Sequence, residues 1–325
     1  MKPTVFIDRT VPSEVEARIA EHCVVDKWEG TNPIPRELLL AKLANADGLL
    51  TAGSRVDAEL LTHAPQLKAV STISVGYNHF DIDAMRRRGI IGTHTPHVLN
   101  NTVADLAFAL ILGTARRVAE LDRYVKEGKW MSGAGNNWFG QDVHHAKLGI
   151  IGMGRIGEAV ARRARFGFEM EVSYYNRSRK PEAESLLGVR YLELNELLKE
   201  SDFVVMLAPL TPETTKLIGR EQFRLIKPSS IFINISRGQT VDEEALIEAL
   251  QSGTISAAGL DVYEIEPIPA DHPFLKMDNV LTLPHIGSAT KATRFDMAML
   301  AAQNLVDAIT GQTPAHIVPE LQSFT

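Results

Sequence analysis

The 325-residue chain contains one cysteine, Cys23, so it can form neither an intramolecular disulfide nor a thiolate metal cluster. That scarcity fits a reducing compartment, and a cytoplasmic protein is expected. Long apolar runs are missing too: the longest, around Leu106 to Leu112, falls far short of the roughly 18 apolar residues a membrane helix needs. Met1 leads directly into Thr4-Val5-Phe6-Ile7-Asp8 without a basic and then apolar leader, so no secretory signal is expected. Nor is there an excess of one charge. With 34 Lys and Arg against 40 Asp and Glu, the net charge of −6 leaves no footprint for nucleic acid or an anionic membrane. Any anionic ligand must be met by local positive charge. The sequence shows no internal repeat and no low-complexity tract.

Short apolar runs and longer amphipathic ones do alternate along the chain. The first hundred residues predict strands over 4–8, 23–26, 48–51, 67–72 and 90–93, with helices over 13–22, 35–46, 57–64 and 81–88 between them. This alternation implies a parallel sheet covered on both faces. A long helix is predicted over 102–130, followed by a glycine-rich stretch over 132–140 that carries Trp138 and Phe139. That stretch reads either as a surface loop or as an arm contacting a second subunit. A second series begins at Lys147, with strands over 148–151, 171–175, 203–207, 231–235, 257–260 and 280–283. Among its helices are 155–166 and 242–251, and a last amphipathic helix spans 289–310 and ends at Gly311.

The most specific local signal is Gly152-Met153-Gly154-Arg155-Ile156-Gly157, which directly follows a strand and opens a helix. Gly152 permits the tight turn, Gly154 lets the backbone approach a pyrophosphate, and Gly157 allows close packing of helix on strand. The helix N-terminus offers N–H groups and a positive dipole to the phosphates. At the end of the next strand, an NAD site normally carries a carboxylate for the ribose 2′-hydroxyl. This chain has Asn176, Arg177 and Ser178 there, a set suited to a 2′-phosphate. NADP(H) is therefore the preferred cofactor expected, with NAD(H) also admitted; the alternative is a solvated basic turn.

A whole α/β unit precedes these glycines and a helix follows the last strand. The simplest architecture is α/β with two Rossmann-like parallel-sheet domains. A dinucleotide-binding domain over 99–288 is inserted in a discontinuous, flavodoxin-like substrate domain over 1–98 and 289–325, and the site is expected in the cleft they share. Three chemically suggestive side chains follow strands of the second series: Arg237, Glu266 and His285. A guanidinium can anchor a carboxylate and polarise a carbonyl, an imidazole can deliver a proton, and a carboxylate beside it favours the imidazolium. Each could equally be an ordinary surface residue. His144 and His145 read as loop histidines, and no metal site is expected.

Six ordered motifs carry a resemblance over essentially the whole chain. They are Thr72-Ile73-Ser74-Val75-Gly76-Tyr77-Asn78, Thr102-Val103-Ala104-Asp105, the glycine turn, Ile233-Asn234-Ile235-Ser236-Arg237-Gly238, Gly259-Leu260-Asp261-Val262-Tyr263 with Glu266-Pro267, and Pro284-His285-Ile286-Gly287-Ser288. With them the chain resembles the D-isomer-specific 2-hydroxyacid dehydrogenases, in particular the glyoxylate/hydroxypyruvate and 2-ketogluconate reductase branch. Asn78 stands where the family often has Asp, and Ser236 where Ala or Gly is common. The resemblance implies Arg237 as substrate-binding residue, Glu266 as partner carboxylate and His285 as acid–base, with Val75 and Gly76 N–H groups holding the substrate carboxylate. It also implies cofactor contacts at Thr102, Arg155, Ile156, Ala208, Pro209, Thr214, Ile235, Asp261 and Gly287, closure of the cleft over the ligands, and a homodimer in which Trp138 reaches the partner's site.

The function so implied is NADPH-preferring reduction of small 2-oxo acids to D-2-hydroxy acids: glyoxylate, hydroxypyruvate and 2-keto-D-gluconate. Two alternatives stand beside it: a non-catalytic NAD(P)-sensing module of the corepressor type, and another D-2-hydroxyacid dehydrogenase acting on phosphoglycerate, formate or D-lactate.

Overall fold

A computed structural model describes residues 2–131 and 138–324; of the glycine-rich stretch over 132–140, the segment 132–137 lies outside the described residues. The chain divides into two compact units, one formed by Met1–Leu99 with Ala289–Thr325 and the other by Asn100–Ser288.

In the first unit the chain runs β1 (Thr4–Ile7), α1 (Ser13–Ala20), β2 (Val24–Lys27), α2 (Arg36–Leu43), β3 (Gly48–Thr51), α3 (Ala58–His63), β4 (Ala69–Thr72), α4 (Ile82–Arg87) and β5 (Ile91–Thr93). The strands pair in parallel in the order β2-β1-β3-β4-β5. Every residue of β3 and β4 is buried, which is why these strands read as near-continuous apolar runs. Phe6, Leu43, Leu49, Leu60, Val70 and Met85 form the centre of one face. Asp57 and Asp81 start α3 and α4 by accepting the N–H groups of Leu60 at 3.0 Å and Ala84 at 2.9 Å.

The second unit opens with α5 (Asn100–Ala115) and α6 (Val118–Lys126), where the sequence pattern predicts one helix over 102–130. The break has a local cause. Arg117 takes the left-handed conformation at φ 54°, its guanidinium pairs with Glu120, and the Ala115 carbonyl accepts from the Gln141 N–H at 2.9 Å. Then follow β6 (Lys147–Ile151), α7 (Arg155–Gly167), β7 (Glu171–Tyr175), α8 (Pro181–Leu187), β8 (Arg190–Tyr191), α9 (Leu194–Glu200), β9 (Phe203–Met206), α10 (Arg220–Leu225), β10 (Ile231–Asn234), α11 (Glu243–Gln251), β11 (Ala257–Leu260) and β12 (Val280–Thr282). Their sheet has the order β12-β11-β10-β9-β6-β7-β8, all parallel, and the order in which strands are added reverses between β6 and β9. Ligands of open α/β sheets bind outside the strand C-termini at such a switch point. The two-residue β8 has no sequence signal of its own.

The chain returns to the first unit as α12 (Lys291–Thr310), started by the Thr290 side chain accepting from the Thr293 N–H at 3.2 Å and ended by Gly311 at φ 83°. Its buried Ala301, Ala302 and Leu305 face β3 and β4. Among the described residues no helix is long and apolar enough to cross a membrane.

Candidate active site

The candidate cofactor-binding and catalytic residues of the second unit, Thr102 on α5 excepted, lie beyond strand C-termini or in the loops and turns that follow them. After β6 the three glycines do three different things. Gly152 holds φ +105°, and a Cβ there would stand 2.5 Å from the Ala208 backbone nitrogen. A Cβ on Gly157 would stand 2.6 Å from the Gly152 carbonyl oxygen, so this glycine sets how closely α7 packs on the turn. Gly154, the N-cap of α7, is exposed and has open space where a Cβ would be. Nothing in the fold demands a glycine there; a ligand approaching the backbone does. Arg155 is exposed at the same helix start. These features fit the pyrophosphate of a dinucleotide.

Beyond β7, Asn176 turns its amide into the loop, donating to the Ser178 carbonyl at 3.1 Å. Arg179 is tied to Glu184 and lies over the Tyr191 ring. Arg177 is exposed and makes no ion pair within 4 Å among the described residues, although its charge acts on the Glu213 carboxyl. Of the two arginines in this turn, Arg177 is the one left to meet a ligand. Beyond β9, Ala208 is buried, and Thr214 shapes the loop by donating to the Pro209 carbonyl at 2.6 Å and accepting from the Thr211 N–H at 2.8 Å. Thr102 on α5 is half-buried, and Ile235 is buried beyond β10.

Arg237, Glu266 and His285 are distant in sequence, and the strand ends bring them together. The His285 Nδ1 meets the Glu266 Oε2 at 2.7 Å. A carboxylate can only accept here, so Nδ1 carries the proton and Nε2 is the ring nitrogen left for chemistry. Burial pushes the Glu266 carboxyl up. Hydrogen bonds from His285 and the Tyr263 N–H, with the charges of His285 and Arg237, outweigh burial and hold it below the usual carboxylate range. Burial in turn draws the half-buried Arg237 guanidinium below its ordinary value, against the pull of Glu266. An apolar pocket of about 440 Å³ adjoins the pair, lined among others by Tyr263, Ile268, Leu283 and His285.

Three features here escape sequence reasoning. First, His285 sits at φ 51°, an unfavourable conformation for a side chain with a Cβ. The buried Asp261 holds it there, accepting the Ile286 N–H at 2.7 Å and the Gly287 N–H at 2.8 Å. Both oxygens of Asp261 are thus committed to the backbone of the His285 turn. Burial raises its carboxyl above the usual value despite those two bonds. Second, a Cβ on Gly238 would stand 1.9 Å from the Tyr263 carbonyl carbon, so Gly238 lets the Arg237 loop lie directly on the Glu266 loop. Third, Glu243 accepts the Glu264 N–H at 3.0 Å and meets His272 Nε2 at 3.1 Å. No spacing rule pairs residues so far apart.

In the first unit, Val75 and Gly76 occupy the loop after β4, partly exposed. Three successive carbonyls of this loop are held: Ser74 by the Thr95 N–H at 2.9 Å, Val75 by His94 Nδ1 at 2.9 Å and Gly76 by the Ser74 hydroxyl at 2.7 Å. Among the described residues no cluster of His, Cys, Asp or Glu could hold a metal ion.

Comparison with known proteins agrees with this geometry. Residues 108–287 match the family model described as D-isomer specific 2-hydroxyacid dehydrogenase, NAD binding domain. A glyoxylate/hydroxypyruvate reductase B from Yersinia pseudotuberculosis serotype O:3 (strain YPIII) is 50% identical over 318 residues, covering 98% of each chain. A crystal structure of a Thermus thermophilus protein superposes with a TM-score of 0.90 at 42% identity, over 97% of this chain and 99% of that one. An NADPH-dependent glyoxylate/hydroxypyruvate reductase from Sinorhizobium meliloti, solved with NADP and malonate, has a TM-score of 0.88 at 30% identity, over 99% of this chain and 98% of that one.

Proposed function

The chain belongs to the D-isomer-specific 2-hydroxyacid dehydrogenases, NAD(P)-dependent enzymes, and from that premise we propose that it reduces glyoxylate to glycolate and hydroxypyruvate to D-glycerate with NADPH. 2-Keto-D-gluconate is a further substrate in this reading. The observation that carries it is the His285–Glu266 pair at 2.7 Å with the Arg237 charge acting on Glu266. The bound nicotinamide supplies the hydride. Arg237 and the N–H groups of Val75 and Gly76 take the substrate carboxylate, and the Arg237 charge polarises the 2-oxo group. His285 delivers its Nε2 proton to the carbonyl oxygen, and Glu266 accepts from Nδ1 and keeps the ring oriented. The turn over 152–157 holds the pyrophosphate, Thr102, Ile235, Asp261 and Gly287 border the nicotinamide, and Ala208, Pro209 and Thr214 run along the adenosine.

Selectivity for NADPH rests on Arg177. The exposed guanidinium takes a 2′-phosphate, and the Asn176–Ser178 turn contains no carboxylate to accept from a 2′-hydroxyl. The preferred assembly is a homodimer. Helix α6 has no buried residue, yet it exposes Val118 and Val125, and Trp130, Met131 and Phe139 are exposed in the chain that follows. Such a face fits a second copy. The sole cysteine is buried and free, in keeping with a cytoplasmic location.

The test is absorbance at 340 nm. Addition of glyoxylate or hydroxypyruvate to enzyme and NADPH should start a saturable decrease. A protein that binds NADPH but oxidises none of it with any 2-oxo acid would be a sensor, and the proposal would fall.

A further inference from the structure

We infer that His94 is a positioning residue for the substrate carboxylate, acting through the backbone of Val75 and Gly76 rather than by contact with the ligand. The inference rests on the carboxylate-binding reading given above and concerns what aims those N–H groups.

A peptide unit is planar, and in a trans unit the C=O and N–H point in opposite directions. Among the described residues the cis bond is Glu266–Pro267, and the units of the 74–77 loop are trans. Fixing a carbonyl therefore fixes where the next residue's N–H points. The Ser74 carbonyl, held by the Thr95 N–H, turns the Val75 N–H away from β5. The Val75 carbonyl, held by His94 Nδ1 at 2.9 Å, turns the Gly76 N–H away from the imidazole. Of the two N–H groups assigned to the carboxylate, one is aimed by backbone and the other by the His94 side chain.

The imidazole is itself fixed. A carbonyl oxygen only accepts, so Nδ1 carries the proton. The His94 N–H donates to the His316 carbonyl at 3.1 Å, and its own carbonyl accepts from the buried Asn304 amide at 3.2 Å. The ring stands edge-on to Tyr77 at 5.3 Å and 89°, and the Tyr77 hydroxyl donates to Glu320 at 3.0 Å. Glycine at 76 would otherwise leave this peptide unusually free to rotate. A held peptide meets the anion without reorganising, and one that must first rotate binds more weakly.

Three substitutions at one position separate positioning from packing. In His94→Asn the amide nitrogen is as many bonds from Cβ as Nδ1 and can donate to the Val75 carbonyl. His94→Leu has nearly the shape of Asn without a donor, and His94→Gln places its donor one bond too far. We expect Leu and Gln to raise the KM for glyoxylate and the Kd for oxalate together by about three- to tenfold, the effect of one neutral hydrogen bond. The kcat and the KM for NADPH should stay within about twofold, a loss confined to ground-state and transition-state binding alike, and Asn should restore the wild-type values. If Leu does not fold, Gln against Asn decides. Unchanged KM and Kd in Leu and Gln, or an Asn variant as weak as Gln, would overturn the inference while the function stands. A wild-type protein that neither reduces 2-oxo acids nor binds oxalate would overturn both.

Discussion

The phosphate turn and the proton-transfer cluster lie in the same sheet unit and are built by opposite means. Between Gly152 and Gly157 the chain removes side chains: a Cβ at either end would strike backbone, and the middle glycine leaves its space open. Around His285 the chain adds acceptors: Glu266 accepts the hydrogen bond of the ring Nδ1–H, and Asp261 gathers two backbone N–H groups behind an unfavourable dihedral. The first site is local, and its two end glycines tolerate no added atom. The second joins residues from three loops and tolerates no lost acceptor.

That contrast can be broken by substitution, and the largest effect belongs to the cluster. His285→Ala should lower kcat by about 10²–10⁴-fold, the usual contribution of a positioned general acid, with the Kd for NADPH unchanged by fluorescence titration. Glu266→Gln removes the charge and keeps the shape, and kcat should fall roughly 10- to 100-fold, the range of a charge-assisted hydrogen bond. The pH dependence has a definite sign. Because the Glu266 carboxyl is held below its ordinary value of 4.5, it begins to protonate only below that pH. Any stability the pair supplies is present above the unfolded carboxyl's pKa and is lost as pH falls through the folded one. An acid limb of kcat/KM set by Glu266 therefore lies below pH 4.5 and is absent in Glu266→Gln.

Asp261→Asn is a smaller change of the same kind. One of the two acceptors becomes a donor facing the Ile286 or the Gly287 N–H, and kcat should fall roughly tenfold as the His285 turn relaxes. The turn over 152–157 answers differently, with the smallest effect at its middle glycine. Gly154→Ala should leave the Tm within about 2 °C of wild type while weakening NADPH several-fold, because only the ligand needs that space. Gly152→Ala, striking Ala208, should lower the Tm as well. Equal thermal losses in both variants would remove the distinction between a glycine kept for the fold and one kept for the ligand.

The same contrast explains what could be read from the sequence. The parallel α/β class follows from apolar strands such as 48–51 and 203–206, whose burial on both faces leaves an unmistakable run. The glycine turn is legible because its geometry depends on neighbours in sequence. Helix 102–130 misleads because apolar spacing continues past Arg117, and the break there depends on Gln141 and Glu120. The types of Arg237, Glu266 and His285 are visible in sequence, but their meeting depends on strand order. The roles of Asp261, Gly238 and Glu243 leave no spacing at all, since each acts on the backbone of a segment far along the chain.

The cofactor ratio tests the central claim most directly. With glyoxylate saturating, kcat/KM should be at least about tenfold higher for NADPH than for NADH, and Arg177→Asp should abolish that advantage through loss of a charge-assisted bond to the 2′-phosphate. NADH equal to or better than NADPH in the wild-type enzyme, or a ratio untouched by Arg177→Asp, would contradict the account.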